Sequence, residues 1–144
     1  MSEHPNLIPR AQRYAAAAFN FLERFPRSSN AWHAAEQFYR ASSSASSNYS
    51  AAKRGRSTAE FISKLGTVVE EIDEAIRWLE HMRDIRIDVD ADLLSEAEQL
   101  RRIWGASLGT ARRNERARLE RLKIERAKRR EQKRRTPRKP PDPT

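Results

Sequence analysis

The sequence predicts an all-α protein: an antiparallel up-down four-helix bundle over residues 9–111, followed by a basic C-terminal helical extension over 112–135. Three observations predict it. Apolar residues recur at three- and four-residue intervals in four successive stretches, and nowhere do apolar and polar residues alternate for long enough to argue a strand. The connections between the stretches are short, which favours antiparallel neighbours. The 144 residues suffice for one ordinary domain, and the excess positive charge is confined to the end of the chain. Residues 1–8 read as an N-terminal arm and 136–144 as a disordered tail.

The first helix is expected from Pro9 to Phe25. Pro9 suits the first helical position, where its missing N–H costs nothing. Tyr14, Ala18, Phe21, Leu22 and Phe25 share a face, and Pro26 ends the run. The second helix follows the Ser28-Ser29-Asn30 capping cluster and runs from Ala31 to Lys53. Its serine-rich stretch, 41–48, has the composition of a linker but contains no Gly or Pro. Serine is only mildly unfavourable in a helix, so a helix with a small-residue face is the expectation. Ser57-Thr58-Ala59-Glu60 is a capping box that opens the third helix. There Phe61, Ile62, Leu65, Val68, Val69, Ile72, Ala75, Ile76, Leu79 and Met82 form a continuous apolar stripe. The fourth helix begins near Asp90 and buries Leu93, Leu94, Ala97, Leu100, Ile103, Trp104 and Leu108. From Arg112 to Arg135 no Gly or Pro interrupts it, and Glu125–Arg129 and Glu131–Arg135 stand at i,i+4. A polar helix of this kind can grow from a folded one without a new nucleus.

Composition excludes much. Hydrophobic residues are 38% of the chain and charged residues 34%, which is polar for a globular protein. With no cysteine there can be no disulfide, zinc–thiolate site, iron–sulfur cluster or thiol nucleophile. Four glycines and three histidines leave little room for a phosphate-cradling loop or a multi-histidine metal centre. No apolar run approaches the roughly 20 residues that span a bilayer. The opening MSEHPNLIPR lacks a basic-then-apolar leader pattern, so a cytoplasmic protein without a membrane role is expected.

Charge supplies the main functional signal. Residues 1–111 hold 14 basic and 15 acidic residues, a net of −1, whereas residues 112–144 hold 15 and 5, a net of +10. A basic segment of this density calls for an acidic partner, and nucleic acid is the commonest. Arg112, Arg113, Arg116, Arg118, Arg121, Lys123, Arg126, Lys128, Arg129, Arg130, Lys133, Arg134 and Arg135 are the candidate phosphate-binding residues. No aromatic residue interleaves them, so base stacking by this segment is not expected, and arginine-rich segments often order on RNA. Leu119, Leu122 and Ile124 are too few to make a membrane-binding face.

An enzyme is not expected, and no cofactor or metal. His33-Ala34-Ala35-Glu36 places an imidazole and a carboxylate one turn apart, but a di-iron bundle needs two Glu-x-x-His motifs and two more glutamates. Asp88-Val89-Asp90-Ala91-Asp92 resembles the start of a calcium loop, yet position 6 is Leu93 instead of Gly and position 12 is Gln99 instead of Glu. These aspartates read instead as a helix N-terminus. Trp32, Trp78 and Trp104 stand at core-compatible positions and are expected in the core or at a subunit interface.

Several short motifs resemble a bacterial family of four-helix-bundle proteins first noticed as products of intervening sequences in large-subunit ribosomal RNA genes. Arg40-Ala41-Ser42 with Ser44 and Asn48 resembles its second-helix signature. Arg56-Ser57 followed by Glu60-Phe61-Ile62 and Leu65 resembles the start of its third helix. Glu71, Glu74, Trp78 and Leu79, then Leu94, Glu96, Ala97, Leu100 and Ile103, fall where it has matching residues. Three positions depart from it: Ala51 replaces a usual glutamate, and Ala45 and Tyr49 replace branched apolar residues. The resemblance implies a homo-oligomeric ring, often a pentamer. It also implies kinship with accessory subunits of diversity-generating retroelements, which bind a reverse transcriptase and nucleic acid. On this footing Arg40, Ser44, Asn48, Glu71, Glu74 and Trp78 are family-motif structural residues, and Arg40 is expected to contact Glu71 or Glu74. The function expected is non-enzymatic binding of RNA or single-stranded DNA, with a reverse transcriptase or another protein as a further partner. The alternative is a protein–protein adaptor whose basic tail docks an acidic protein.

Overall fold

A computed structural model describes residues 6–142. It contains four helices and, among the described residues, no strand: α1 (Ile8–Leu22), α2 (Asn30–Lys53), α3 (Thr58–Asp84) and α4 (Ala91–Arg135). The first five residues of the expected arm and the last two of the expected tail lie outside the described residues. Each helix packs on the next, and α4 also packs on α1.

Local chemistry sets the helix ends. Ser29 caps α2 by accepting from the Ala31 N–H at 3.1 Å. At α3 the capping box closes both ways: the Glu60 N–H donates to Ser57 Oγ and the Arg56 N–H donates to Glu60 Oε2, each at 3.1 Å. Asp90 caps α4 by accepting from the Asp92 N–H at 3.0 Å, so the aspartate cluster 88–92 serves a helix N-terminus. At the other end of α3, Arg86 takes a φ of 64°. The Ile87 N–H then returns to the Met82 carbonyl at 2.9 Å, closing the last turn in a Schellman arrangement. Helix α1 stops at Leu22, a turn earlier than Pro26 alone would require; Phe25 instead packs on Phe21, with ring centroids 5.2 Å apart.

The core runs through all four helices. Phe38, Leu65, Val68, Ile72, Leu79, Met82, Leu100 and Trp104 are fully buried. The serine-rich stretch is continuous helix. Its face of Ala34, Ala35, Ala41, Ser42, Ala45, Ser46 and Ala52 is buried, and small side chains there let the neighbouring helices approach. Ser42 is accommodated because Tyr14, from α1, shares a 2.8 Å hydroxyl–hydroxyl hydrogen bond with it. Contacts between helices pair positions along their lengths. Tyr14 meets Phe38, and Phe19 meets Tyr39. His33 meets Trp78, Tyr49 meets Trp104, Arg10 bonds Glu96, and Arg101 bonds Asp73.

Candidate nucleic-acid interface

Helix α4 has two halves with different chemistry. Its first half buries Leu93, Ala97, Leu100, Trp104 and Leu108. Contact with the ends of α2 and α3 persists to Asn114, which shares a cleft with Tyr49, Lys53, Phe61 and Ala111. Beyond that the helix continues alone to Arg135, about 30 Å at 1.5 Å per residue. No helix-breaking residue occurs before Pro137, and Thr136 closes the end by donating to the Gln132 carbonyl through both its N–H and its hydroxyl.

All thirteen candidate cations, from Arg112 to Arg135, are exposed. Three are engaged along the helix: Arg118 binds Glu115 in bidentate fashion at 2.7 and 3.0 Å, Arg135 binds Glu131 at 2.9 Å, and Arg113 donates to the Thr110 hydroxyl at 3.2 Å. Arg118 holds the Glu115 carboxyl below its ordinary range by hydrogen bond and charge. The expected Glu131–Arg135 pair thus forms, while Arg129 has no carboxylate within ion-pair distance among the described residues. The other candidates are likewise without an ion-pair partner there. Leu119 and Ile124 are 46% and 48% exposed, so the extension has no apolar face of its own.

The motif residues on α2 and α3 come together in part. Asn48 donates through Nδ2 to the Ser44 carbonyl at 2.9 Å and to the Ser44 hydroxyl at 3.1 Å. Glu71 comes to the same seam. Partial burial pushes its carboxyl up, the Glu74 charge adds to the rise, the Ser44 hydroxyl opposes it, and the Glu70 charge adds a smaller rise. The expected contact of Arg40 with Glu71 or Glu74 does not form. Arg40 is 68% exposed and pairs with Glu36 on its own helix at 3.2 Å. The carboxylate one turn away is always within reach of a flexible arginine, and binding it requires no burial of charge. Sequence reasoning missed this because Glu36 lies outside the motif pattern.

The tryptophans divide. Trp104 is fully buried against Tyr49 at 5.3 Å, with its Nε1–H unpaired. Trp78 is half-buried between His33 and His81, at 5.9 and 5.7 Å, and Trp32 packs on the Arg27 guanidinium at 5.5 Å. A groove between α1 and the start of α4 is lined by Arg10, Arg13, Asp90, Asp92 and Glu96, both signs of charge together. Among the described residues no three His, Asp or Glu side chains are grouped to hold a metal ion, and no helix is long and apolar enough to cross a membrane. No family model, curated protein or solved structure matches this chain, so the functional reading stands on its own residues.

Proposed function

We propose that this chain is a non-enzymatic, oligomeric bundle protein of the cytoplasm that binds nucleic acid through the α4 extension. The observation that carries the reading is the thirteen exposed cations on one helix that leaves the helical core. A rigid cationic rod suits phosphate contacts, which give affinity without sequence readout.

The helices form an antiparallel up-down bundle in this reading, and the contact order supports it. Along α1 and α2, Tyr14 and Phe21 meet Ser42 and Phe38; along α2 and α3, His33 meets Trp78 while Tyr49 shares a cleft with Leu65. Along α3 and α4, Asp73 meets Arg101 while Leu65 shares a cleft with Ala111. In each case rising numbers on one helix meet falling numbers on the next. The motif resemblance supports membership of the bacterial four-helix-bundle family, a pentameric ring, and a reverse transcriptase as a further partner. Several weak extensions on one ring would bind far more tightly than one.

The test compares the full chain with a chain ended after Glu115, by fluorescence anisotropy on a structured RNA and a single-stranded DNA. The full chain is expected to bind and the shortened one to lose binding. Equal binding by both would move the activity off α4, and no binding by either would remove the reading in favour of an acidic protein partner. Sedimentation of the full chain tests the ring: a monomer at micromolar concentration would overturn it.

A further inference from the structure

We infer that the α4 extension docks on a nucleic-acid duplex by one face only, with that face laid against the sugar–phosphate backbone and outside the grooves. The inference rests on the nucleic-acid reading above. It narrows the thirteen candidate cations to six: Arg112, Arg116, Lys123, Arg126, Arg130 and Arg134.

The face follows from helical register. At about 100° per residue, these six fall within about 40° of Arg112, on an arc about 80° wide. Seven residues between Arg112 and Arg135 occupy the arc; six are cations and the seventh is Leu119. The other seventeen carry seven cations and four carboxylates. The arc therefore holds +6 on seven residues, and the rest of the rod only +3 on seventeen. The nearest carboxylates, Glu115 and Glu120, stand about 60° and 80° to either side of Arg112. Glu115 is already held by Arg118.

Side-chain contacts divide the rod in the same way. Arg113, Arg118 and Arg135, engaged by Thr110, Glu115 and Glu131, all lie off the arc. The six cations on it have no ion-pair partner among the described residues. Toward the bundle the arc points back to Arg101, eleven residues before Arg112 and about 20° from it. There Asp73 of α3 pairs with Arg101 at 2.6 Å and ends the free charge. The track thus starts at Arg112 and runs about 33 Å to Arg134. Its start is open, because Gly66 of α3 stands beside the Arg112 guanidinium and even a Cβ there would lie 3.7 Å from Nη2.

The same pattern selects the mode of contact. An α-helix inside a major groove has a phosphate strand on each flank. Here one flank carries Glu120 and Glu131, about 80° and 100° from Arg112, and their charge opposes that placement. Docking on the arc turns both away from the phosphates. Two features favour a duplex. The extension has no aromatic side chain on which the bases of a single strand could stack. A duplex is also stiff over about 500 Å, so its phosphates are already in place along so short a rod. Contact with the backbone alone reads no sequence.

The test uses the full chain and a fluorescein-labelled 20-base-pair DNA, titrated by anisotropy across a salt series. R116Q/K123Q/R130Q removes three charges from the arc. R113Q/R121Q/K128Q removes three from positions about 100–180° around the helix from Arg112. Glutamine matches arginine and lysine in helix propensity, so both variants should keep the helical circular dichroism of the unaltered chain. The helix is about 10–12 Å across, close to one Debye length at 0.1 M salt, so far-side charges act weakly. The arc variant is expected to bind at least about tenfold more weakly at 0.1 M salt, with a log–log salt slope shallower by about 2.7. The other variant is expected to lose less than about threefold. Equal losses, or a larger loss in the second variant, overturn docking by this face and leave binding by the extension intact. Tighter binding of the single strand than of the duplex overturns the choice of duplex. Absence of binding by the unaltered chain overturns the nucleic-acid reading as well.

Discussion

Tyr14 and Ser42 form a hydroxyl pair with almost no water access, 2% and 0% exposed. Tyr14→Phe strands the serine hydroxyl in the core and should cost about 1–3 kcal/mol. Ser42→Ala strands the phenol at similar cost, and the double variant should lose much less than the sum, as urea melts of the cycle would measure. Burial also holds the Tyr14 phenol well above its ordinary value of 10.0. The folded chain therefore keeps a proton that the unfolded chain releases above pH 10. This contribution is complete below pH 10 and is lost as pH rises beyond it, and Tyr14→Phe should flatten that alkaline decline. Glu71 behaves oppositely in consequence. Its raised carboxyl value means that the charged form is disfavoured by folding, so Glu71→Gln should raise the melting temperature at pH 7. The difference should shrink as pH falls through the carboxylate range, since the folded chain takes up the proton first. A lower melting temperature for Glu71→Gln at pH 7 would contradict this account.

At the scale of elements, α1 is held to α4 by Arg10, which reaches Glu96 through Nε at 2.6 Å and Nη2 at 3.2 Å and Gln99 through Nη2 at 3.1 Å. Both partners of the ion pair are about 30% exposed, so Arg10→Ala should cost about 1 kcal/mol and not more, measurable by chemical denaturation. The end of α3 offers the reverse opportunity. Arg86 occupies the left-handed region, where a side chain is strained. Arg86→Gly should stabilise the chain by about 0.5–1 kcal/mol, read as a higher melting temperature. Helix starts were legible in the sequence because caps are local: Ser29, Ser57 and Asp90 each satisfy an N–H two or three residues on. The end of α3 at Asp84 was legible too, because its apolar stripe fades there, but the left-handed turn at Arg86 was not: the usual signal is a glycine and this chain uses an arginine. The Arg40 contact was misread for a related reason. A motif gives spacing along the chain, but an arginine's choice of partner depends on local reach and desolvation, which spacing does not encode.

For the whole molecule, the charge asymmetry was legible in the sequence alone: a near-neutral bundle and a segment of net +10. The sequence could not say which side of α4 faces the bundle, because that depends on where α3 lies against α4. The Asp73–Arg101 pair and the nearness of Gly66 to Arg112 supply that register. The central claim is that the α4 extension neutralises phosphates. The most direct measurement is the salt dependence of duplex binding by the full chain between about 50 and 200 mM salt. Six phosphate contacts predict a log–log slope near −5. A slope near zero, or no binding at the low-salt end, would contradict the claim.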